Sequence, residues 1–459
     1  MSRWMLLSLV VSSALIHALE AVTSYRHLVR IPLESDDQLR LTGTVSVGSP
    51  PRSVRVVFDT GSSDTWVTSS HLDSAADDVP APKTFAIGYG GGIVSGLAVR
   101  ADLQLDSSGL FLRDVPVGVV DDQTSVLTEL DAQGVVGLGM DALAQIRCNS
   151  SLLNLVTQQQ ALTAPVVFSF YISGWPGAQP PSQLVLGGDD PALTSSSSTW
   201  FTFPVIANDA LRGGQSPIPK ASAISSKTSF GFWALRMERL WFDNKALPVG
   251  LDSRQSAALI DSGTSVLLLP QHTFDAVVQT LSDRFGKRFL STQGRHQALP
   301  ACRPCQLHEF PPLAFDLLLE DSSKTRATSQ RFVLQGSDYV RCDLRRRECT
   351  ALVDLIQSSE VSDRFDIVIL GTVFMRSYYT RFEYSTKRVG LACIVDEHGL
   401  CLGGVVPPLD YRGYPYDPYS RVKQPNRAVP AFCAAATALA FLAGLRTLLE
   451  YYEKPKLRS

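Results

Sequence analysis

Two aspartates stand out for the residues around them. Val56 to Val67 reads VVFDTGSSDTWV, and Ala258 to Pro270 reads ALIDSGTSVLLLP. In each, an apolar run ends on an aspartate, Asp59 or Asp261. A hydroxyl residue (Thr60, Ser262), a glycine (Gly61, Gly263) and a second hydroxyl residue (Ser62, Thr264) follow. An aspartate closing a buried strand is costly unless its charge is shared or hydrogen-bonded. The glycines remove side-chain bulk, so a backbone N–H can come close to a carboxylate. Ser62 and Thr264 can donate to the carboxylates from outside, and Thr60 and Ser262 can tie the two loops together across a pseudo-twofold axis. Two such loops facing each other bring two carboxyl groups together. Both cannot ionise at close range, so one pKa rises, the other falls, and the pair holds one proton. Such a pair can hold a water and act as base and acid in turn, without metal or covalent intermediate.

One copy of this motif is an ordinary turn composition. Its recurrence, with a second element following each copy, is not. Gly134 to Gly139 reads GVVGLG and Ile367 to Gly371 reads IVILG, in the same order after their aspartates. This is the trace of an internal duplication, and it implies two similar lobes. Short apolar or alternating runs bounded by turn residues mark strands at Val54–Asp59, Thr84–Tyr89, Val94–Leu105, Pro165–Tyr171, Gln183–Leu186, Trp233–Phe242 and Leu313–Leu319. A further strand-like run covers Arg26–Leu33. Helical periodicity is confined mainly to Asp141–Gln159 and Thr273–Phe285. The expected fold is therefore all-β with few short helices, built as antiparallel sandwich or barrel lobes.

The 459 residues suffice for two large lobes. With 45% apolar and 19% charged residues, wholesale disorder is excluded. A net charge of −2 gives no reason to expect a nucleic-acid partner. The seven histidines are scattered without ligand spacing, so no metal is expected. Arg345-Arg346-Arg347 reads as a solvated turn, and Gly90-Gly91-Gly92 lacks the Lys-Ser/Thr of a phosphate loop. At the N-terminus, Arg3 precedes an apolar run from Trp4 to Ile16, the pattern of a signal peptide over residues 1–23. At the C-terminus, Ala428 to Leu445 is uncharged and reaches spanning length through residue 449 if Arg446 snorkels. Residues 403–427 suit a stalk and 450–459 a cytoplasmic tail. This places the body of the chain in the lumen or outside the cell, on a single-pass membrane protein, where disulfides persist.

Eight cysteines follow from that setting. Cys302, Cys305, Cys342 and Cys349 are expected to form two bridges of unspecified connectivity, and Cys148 to pair with Cys393 or Cys401. Cys433 lies within the apolar C-terminal segment and is expected to be unpaired. Asn149-Ser150-Ser151 is a glycosylation sequon. Leu211–Ser229, rich in Ser, Gly and Pro, reads as an inserted loop.

From about Tyr25 to Ile394 the chain resembles a pepsin-like aspartic endopeptidase. LTGTVSVGSPPRSVRVVFDTGSSDTWV (Leu41–Val67) resembles that family's first strands and first catalytic turn, IGYGGG (Ile87–Gly92) its flap, and ILGTVFMRSYYTRFEYSTKRVGLA (Ile369–Ala392) its closing strands. The resemblance implies a bilobal fold, with lobes at 24–204 and 205–402 and a cleft between them. It makes Asp59 and Asp261 the catalytic dyad, Tyr89 the flap tyrosine bonded to the Trp66 indole, and Gly90 and Gly91 the flap backbone offered to substrate. Val57, Val135, Leu259 and Ile260 become apolar walls. The substrate implied is an extended polypeptide cut by a monomer without cofactor. The alternative is a catalytically silent binding or inhibitor-like protein of the same fold.

Several features depart from the family pattern. Gly91 stands where a hydroxyl residue usually follows the first flap glycine, and Thr372 stands where strongly acid-active relatives often carry an aspartate. The latter points to an optimum less acidic than that of a gastric enzyme. The small first-lobe disulfide loop is absent. Strand pattern begins almost directly after the signal region, so little or no inhibitory propeptide is expected. The stalk and spanning segment resemble the membrane-anchored, β-secretase-like members.

Overall fold

The computed structural model describes residues 28–34, 40–72, 83–89, 92–105, 110–120, 132–147, 150–162, 165–173, 180–194, 198–212, 229–250, 255–290, 299–319, 328–356, 365–395 and 397–403. The signal region, Gly90, Gly91, Cys148, Asn149, Cys433, most of the 211–229 insertion and the proposed 428–449 span lie outside them. No helix among the described residues is long and apolar enough to cross a membrane. The chain divides into Met1–Tyr414 and Pro415–Ser459, and every described residue belongs to the first unit.

The duplication inferred from sequence is repeated in the sheets. In the first half, strand Arg52–Asp59 lies between Thr42–Val47, antiparallel, and Gly134–Gly137, parallel. Gly134–Gly137 then pairs antiparallel with Thr65–Thr68, which pairs parallel with Phe111–Val120. In the second half, Gln255–Ile260 lies between Ala234–Phe242, antiparallel, and Phe365–Leu370, parallel. Phe365–Leu370 pairs antiparallel with Leu267–Leu269, which pairs parallel with Val353–Leu355. The same succession of senses recurs, so each aspartate leaves an equivalent strand at an equivalent point.

The two repeated sequence elements explain one another through their glycines. Asp59 is in register with Gly137. A Cβ on Gly137 would fall 2.5 Å from the backbone of Ser63, in the turn after Asp59. A Cβ on Gly371 would likewise overlap the carbonyls of Thr264 and Val266. Each apolar-apolar-Gly strand therefore ends in glycine because the aspartate-bearing turn packs directly on its backbone.

A third sheet of six antiparallel strands joins the halves. Its order is Val29–Pro32, Gln183–Leu186, Val167–Tyr171, Tyr379–Glu383, Arg388–Ile394 and Ser198–Pro204. Strands from the last part of the chain thus sit between strands of the first. Phe168 stacks on Phe382 across this junction at 4.8 Å between centroids, and Trp233 meets both edge-on. Trp233 is fully buried, and its indole N–H donates to the Leu138 carbonyl at 2.8 Å. Burial of such aromatic side chains contributes on the order of 2–3 kcal/mol each.

A small sheet holds Phe289–Leu290, Ala301–Cys302, Glu348–Ala351 and Val340–Asp343. Cys302 pairs with Cys305, and Cys342 with Cys349. Arg345, Arg346 and Arg347 occupy the exposed turn between the last two strands, as expected.

Two expectations are corrected. Cys393 pairs with Cys401, not with Cys148, because the chain folds back after Ile394 and brings their Cα atoms to 5.6 Å. Asp141–Gln159 is not one helix. Asp141–Leu143 forms a 3₁₀ turn, residues 144–147 are irregular, and the α-helix covers only Leu152–Gln158.

Candidate active site

Asp59 and Asp261 are brought together at the junction of the two halves. Both are buried, at 7% and 8% exposure. The Gly61 N–H donates to Asp59 Oδ1 at 2.8 Å, and the Ser62 hydroxyl to Oδ2 at 2.5 Å. On the other side the Gly263 N–H donates to Asp261 Oδ1 at 2.9 Å, and the Thr264 hydroxyl to Oδ2 at 2.7 Å. The glycines have a second role across the axis. A Cβ on Gly61 would come within 2.7 Å of Asp261 Oδ1, and one on Gly263 would overlap the Asp59 carboxylate. Glycine at both positions is what lets the carboxyl groups approach.

Thr60 and Ser262 tie the turns together reciprocally. The Thr60 hydroxyl donates to the Ile260 carbonyl at 2.9 Å and accepts from the Ser262 N–H at 2.9 Å. The Ser262 hydroxyl donates to the Phe58 carbonyl at 2.7 Å and accepts from the Thr60 N–H at 3.0 Å. Four buried bonds thereby fix one aspartate against the other. Thr372, singled out as a departure, donates its hydroxyl to the Ser265 carbonyl at 3.1 Å and supports the second turn.

The electrostatics follow from this enclosure. Burial and then the negative charge of Asp261 push the Asp59 pKa from 3.8 up to about 8, against the downward pull of Ser62 and Gly61. The carboxyl pair therefore retains a proton far above the usual carboxylate range. An arrangement of this kind presents one acid and one base to a bound water.

Trp66 donates its indole N–H to the Tyr89 hydroxyl at 2.7 Å, with the rings edge-on at 6.2 Å. Burial and the charge of Asp59 raise the Tyr89 pKa, so the phenol stays neutral and able to donate. Val57 and Val135 are register partners in an apolar cluster with Trp66, Ile87, Ile146 and Tyr89. Leu259 belongs to the corresponding second-half cluster, with Ile206, Ala234 and Ile367. Ile260 is corrected. Neighbouring residues of a strand point to opposite faces, so Leu259 and Ile260 do not share a wall. Ile260 is fully buried, while its N–H meets Trp233 and its carbonyl meets Thr60.

Sequence reasoning missed two residues. Trp233 links the second half to Leu138 of the first, and its signal was an indole directly ahead of a strand. Asp64 is 4% exposed and accepts the N–H groups of Gln145 and Ile146. Its signal was an acid inside an otherwise apolar and hydroxyl-bearing segment.

Residues 41–394 match the family model described as eukaryotic aspartyl protease. The chain belongs to that family. Gastricsin of Homo sapiens is 27% identical over 367 residues, covering 76% of this chain and 80% of the relative. Gastricsin of Cavia porcellus is 25% identical over 373 residues, covering 76% and 79%. Cathepsin E-B of Xenopus laevis is 25% identical over 379 residues, covering 79% and 82%.

Proposed function

We propose that this chain is an aspartic endopeptidase that hydrolyses polypeptide substrates in the secretory or endomembrane system. The observation that carries this reading is the facing carboxyl pair. Asp59 and Asp261 leave equivalent strands and are held by equivalent turns, and burial together with the neighbouring Asp261 charge lets Asp59 keep its proton.

In the proposed reaction, one aspartate takes a proton from a water bound between the carboxyl groups as that water attacks the scissile carbonyl. The other, protonated, donates toward the carbonyl oxygen. The tetrahedral intermediate collapses with protonation of the leaving nitrogen. Ser62 and Thr264 hold the outer carboxylate oxygens, leaving the inner ones to the water. The substrate lies extended, with Gly90 and Gly91 of the flap closing over it and Tyr89 steadied by Trp66. Val57, Val135 and Leu259 favour apolar side chains next to the scissile bond. Residues 24–204 and 205–402 form the catalytic lobes, after a signal peptide at 1–23. A stalk at 403–427, a spanning helix at 428–449 and a cytoplasmic tail at 450–459 complete a single-pass protein. Asn149 carries a glycan.

The test is cleavage of a quenched peptide library by the full-length protein in detergent. The parent cleaves, and Asp59→Asn and Asp261→Asn each lose turnover by at least about 10³-fold while keeping the thermal transition. Turnover retained in the double variant would refute the dyad. A folded parent without turnover would favour the silent binding protein.

A further inference from the structure

The proposed reaction leaves a buried acid of the first turn unused. Asp64 Oδ1 accepts from the Gln145 N–H at 3.1 Å and the Ile146 N–H at 3.0 Å, and Oδ2 accepts from the Gln145 N–H at 2.8 Å. Residues 144–147 belong to no helix or strand, so these two amides have no ladder to satisfy them. The carboxylate takes the place of secondary structure. Neighbouring bonds work in the same direction: Ser63 donates its hydroxyl to the Met140 carbonyl, the Gly139 N–H donates to the Ser62 carbonyl, and the Gly137 N–H donates to the backbone carbonyl of Asp64. Ile146 ends this strap, nearly buried at 9% exposure, in the cluster that contains Val57, Trp66 and Tyr89. Burial outweighs the pull of the two amides, so the Asp64 pKa lies above its ordinary value.

We infer that Asp64 is a positioning residue: through the amides of Gln145 and Ile146 it holds Ile146 in the apolar cluster that contains Val57 and Trp66 and packs on Tyr89, and so sets the size of apolar side chain accepted beside the scissile bond. The inference rests on the aspartic endopeptidase reading for its substrate, but not for its geometry. An oxygen at this place must accept two N–H groups. Asparagine can do so through its amide oxygen, and alanine cannot. Loss of the acceptor strands two amides and frees the strap, while the dyad keeps its own bonds.

The experiment uses full-length protein and two peptides that differ only in the bulk of the apolar residue at the scissile bond. Asp64→Ala raises KM for the bulkier peptide about 5–10-fold with kcat within about threefold, and Asp64→Asn recovers most of that loss. Ile146→Ala reproduces the altered preference, and Asp64→Ala adds nothing to it in the double variant. Hydrogen exchange at the Gln145 and Ile146 amides, read without any turnover, accelerates in Asp64→Ala and not in Asp64→Asn. Unchanged exchange and KM in Asp64→Ala, or equal losses for both peptides that add to those of Ile146→Ala, would overturn the inference. If Asp64→Ala does not fold, an Ile146→Ala variant with the parent's side-chain preference would overturn it. A parent without turnover removes the endopeptidase reading, and the exchange measurement still decides the positioning role.

Discussion

A carboxyl pushed up to about 8 extends the pH response of this chain well above the ordinary carboxylate range, beyond that of Asp338, which burial raises to about 6. The unfolded chain releases the Asp59 proton near 3.8, whereas the folded chain keeps it until about 8. The folded state binds more protons across that window, so this group's contribution to stability falls as pH rises through it. Asp59→Asn removes the titration, and denaturation series between pH 4 and 8 should show a flatter dependence in the variant. Activity has the same upper bound. kcat/KM of the parent should fall as pH passes about 8, where the pair loses its shared proton; a constant rate well beyond that value would contradict the assignment. The carboxyl pair itself was legible from sequence, because its partners Gly61, Ser62, Gly263 and Thr264 are local. Asp64 was not, since its partners lie 81 and 82 positions away and are amides, which carry no residue identity.

Among elements, the strand-and-turn unit is what the duplication preserves. Thr60→Val keeps the shape but removes a hydroxyl that both donates to Ile260 and accepts from Ser262. Two buried bonds are lost, and a destabilisation of about 2–4 kcal/mol is expected in equilibrium unfolding. Gly371→Ala drives a methyl into the Thr264 and Val266 carbonyls and should cost about 1–3 kcal/mol or more, with turnover falling more steeply than stability. The strands were readable because alternation and turn residues bound them, as at Gln183–Leu186 and Leu313–Leu319. The helix expected over Asp141–Gln159 was overextended for an instructive reason. Asp64 captures the amides of Gln145 and Ile146, and Asp141 accepts from the hydroxyl of Ser151, the residue that caps the real helix at Asn154. Distant and local carboxylates outcompete helical periodicity there.

On the scale of the molecule, the repeated motifs announced the doubled sheet pattern but not the sheet that joins the halves, because its strands come from the start, the middle and the end of the described chain. The Cys393–Cys401 bridge also escaped sequence reasoning, since cysteine spacing alone does not choose partners. Cys393→Ser with Cys401→Ser should lower stability by about 2–3 kcal/mol, measured by denaturant unfolding under non-reducing conditions. Protein truncated before Ala428 should appear in the medium; retention on membranes would speak against the proposed span. The joining sheet carries one more implication. Tyr379–Glu383 must slot beside Val167–Tyr171, yet Tyr379 leaves the ribosome 208 residues after Tyr171. At translation rates of about 5–20 residues per second, the emerging N-terminal half waits roughly 10–40 s with a hydrogen-bonding edge uncovered. Nascent chains halted before Tyr379 should accordingly be prime clients for chaperones, even though both turn motifs have already been synthesised.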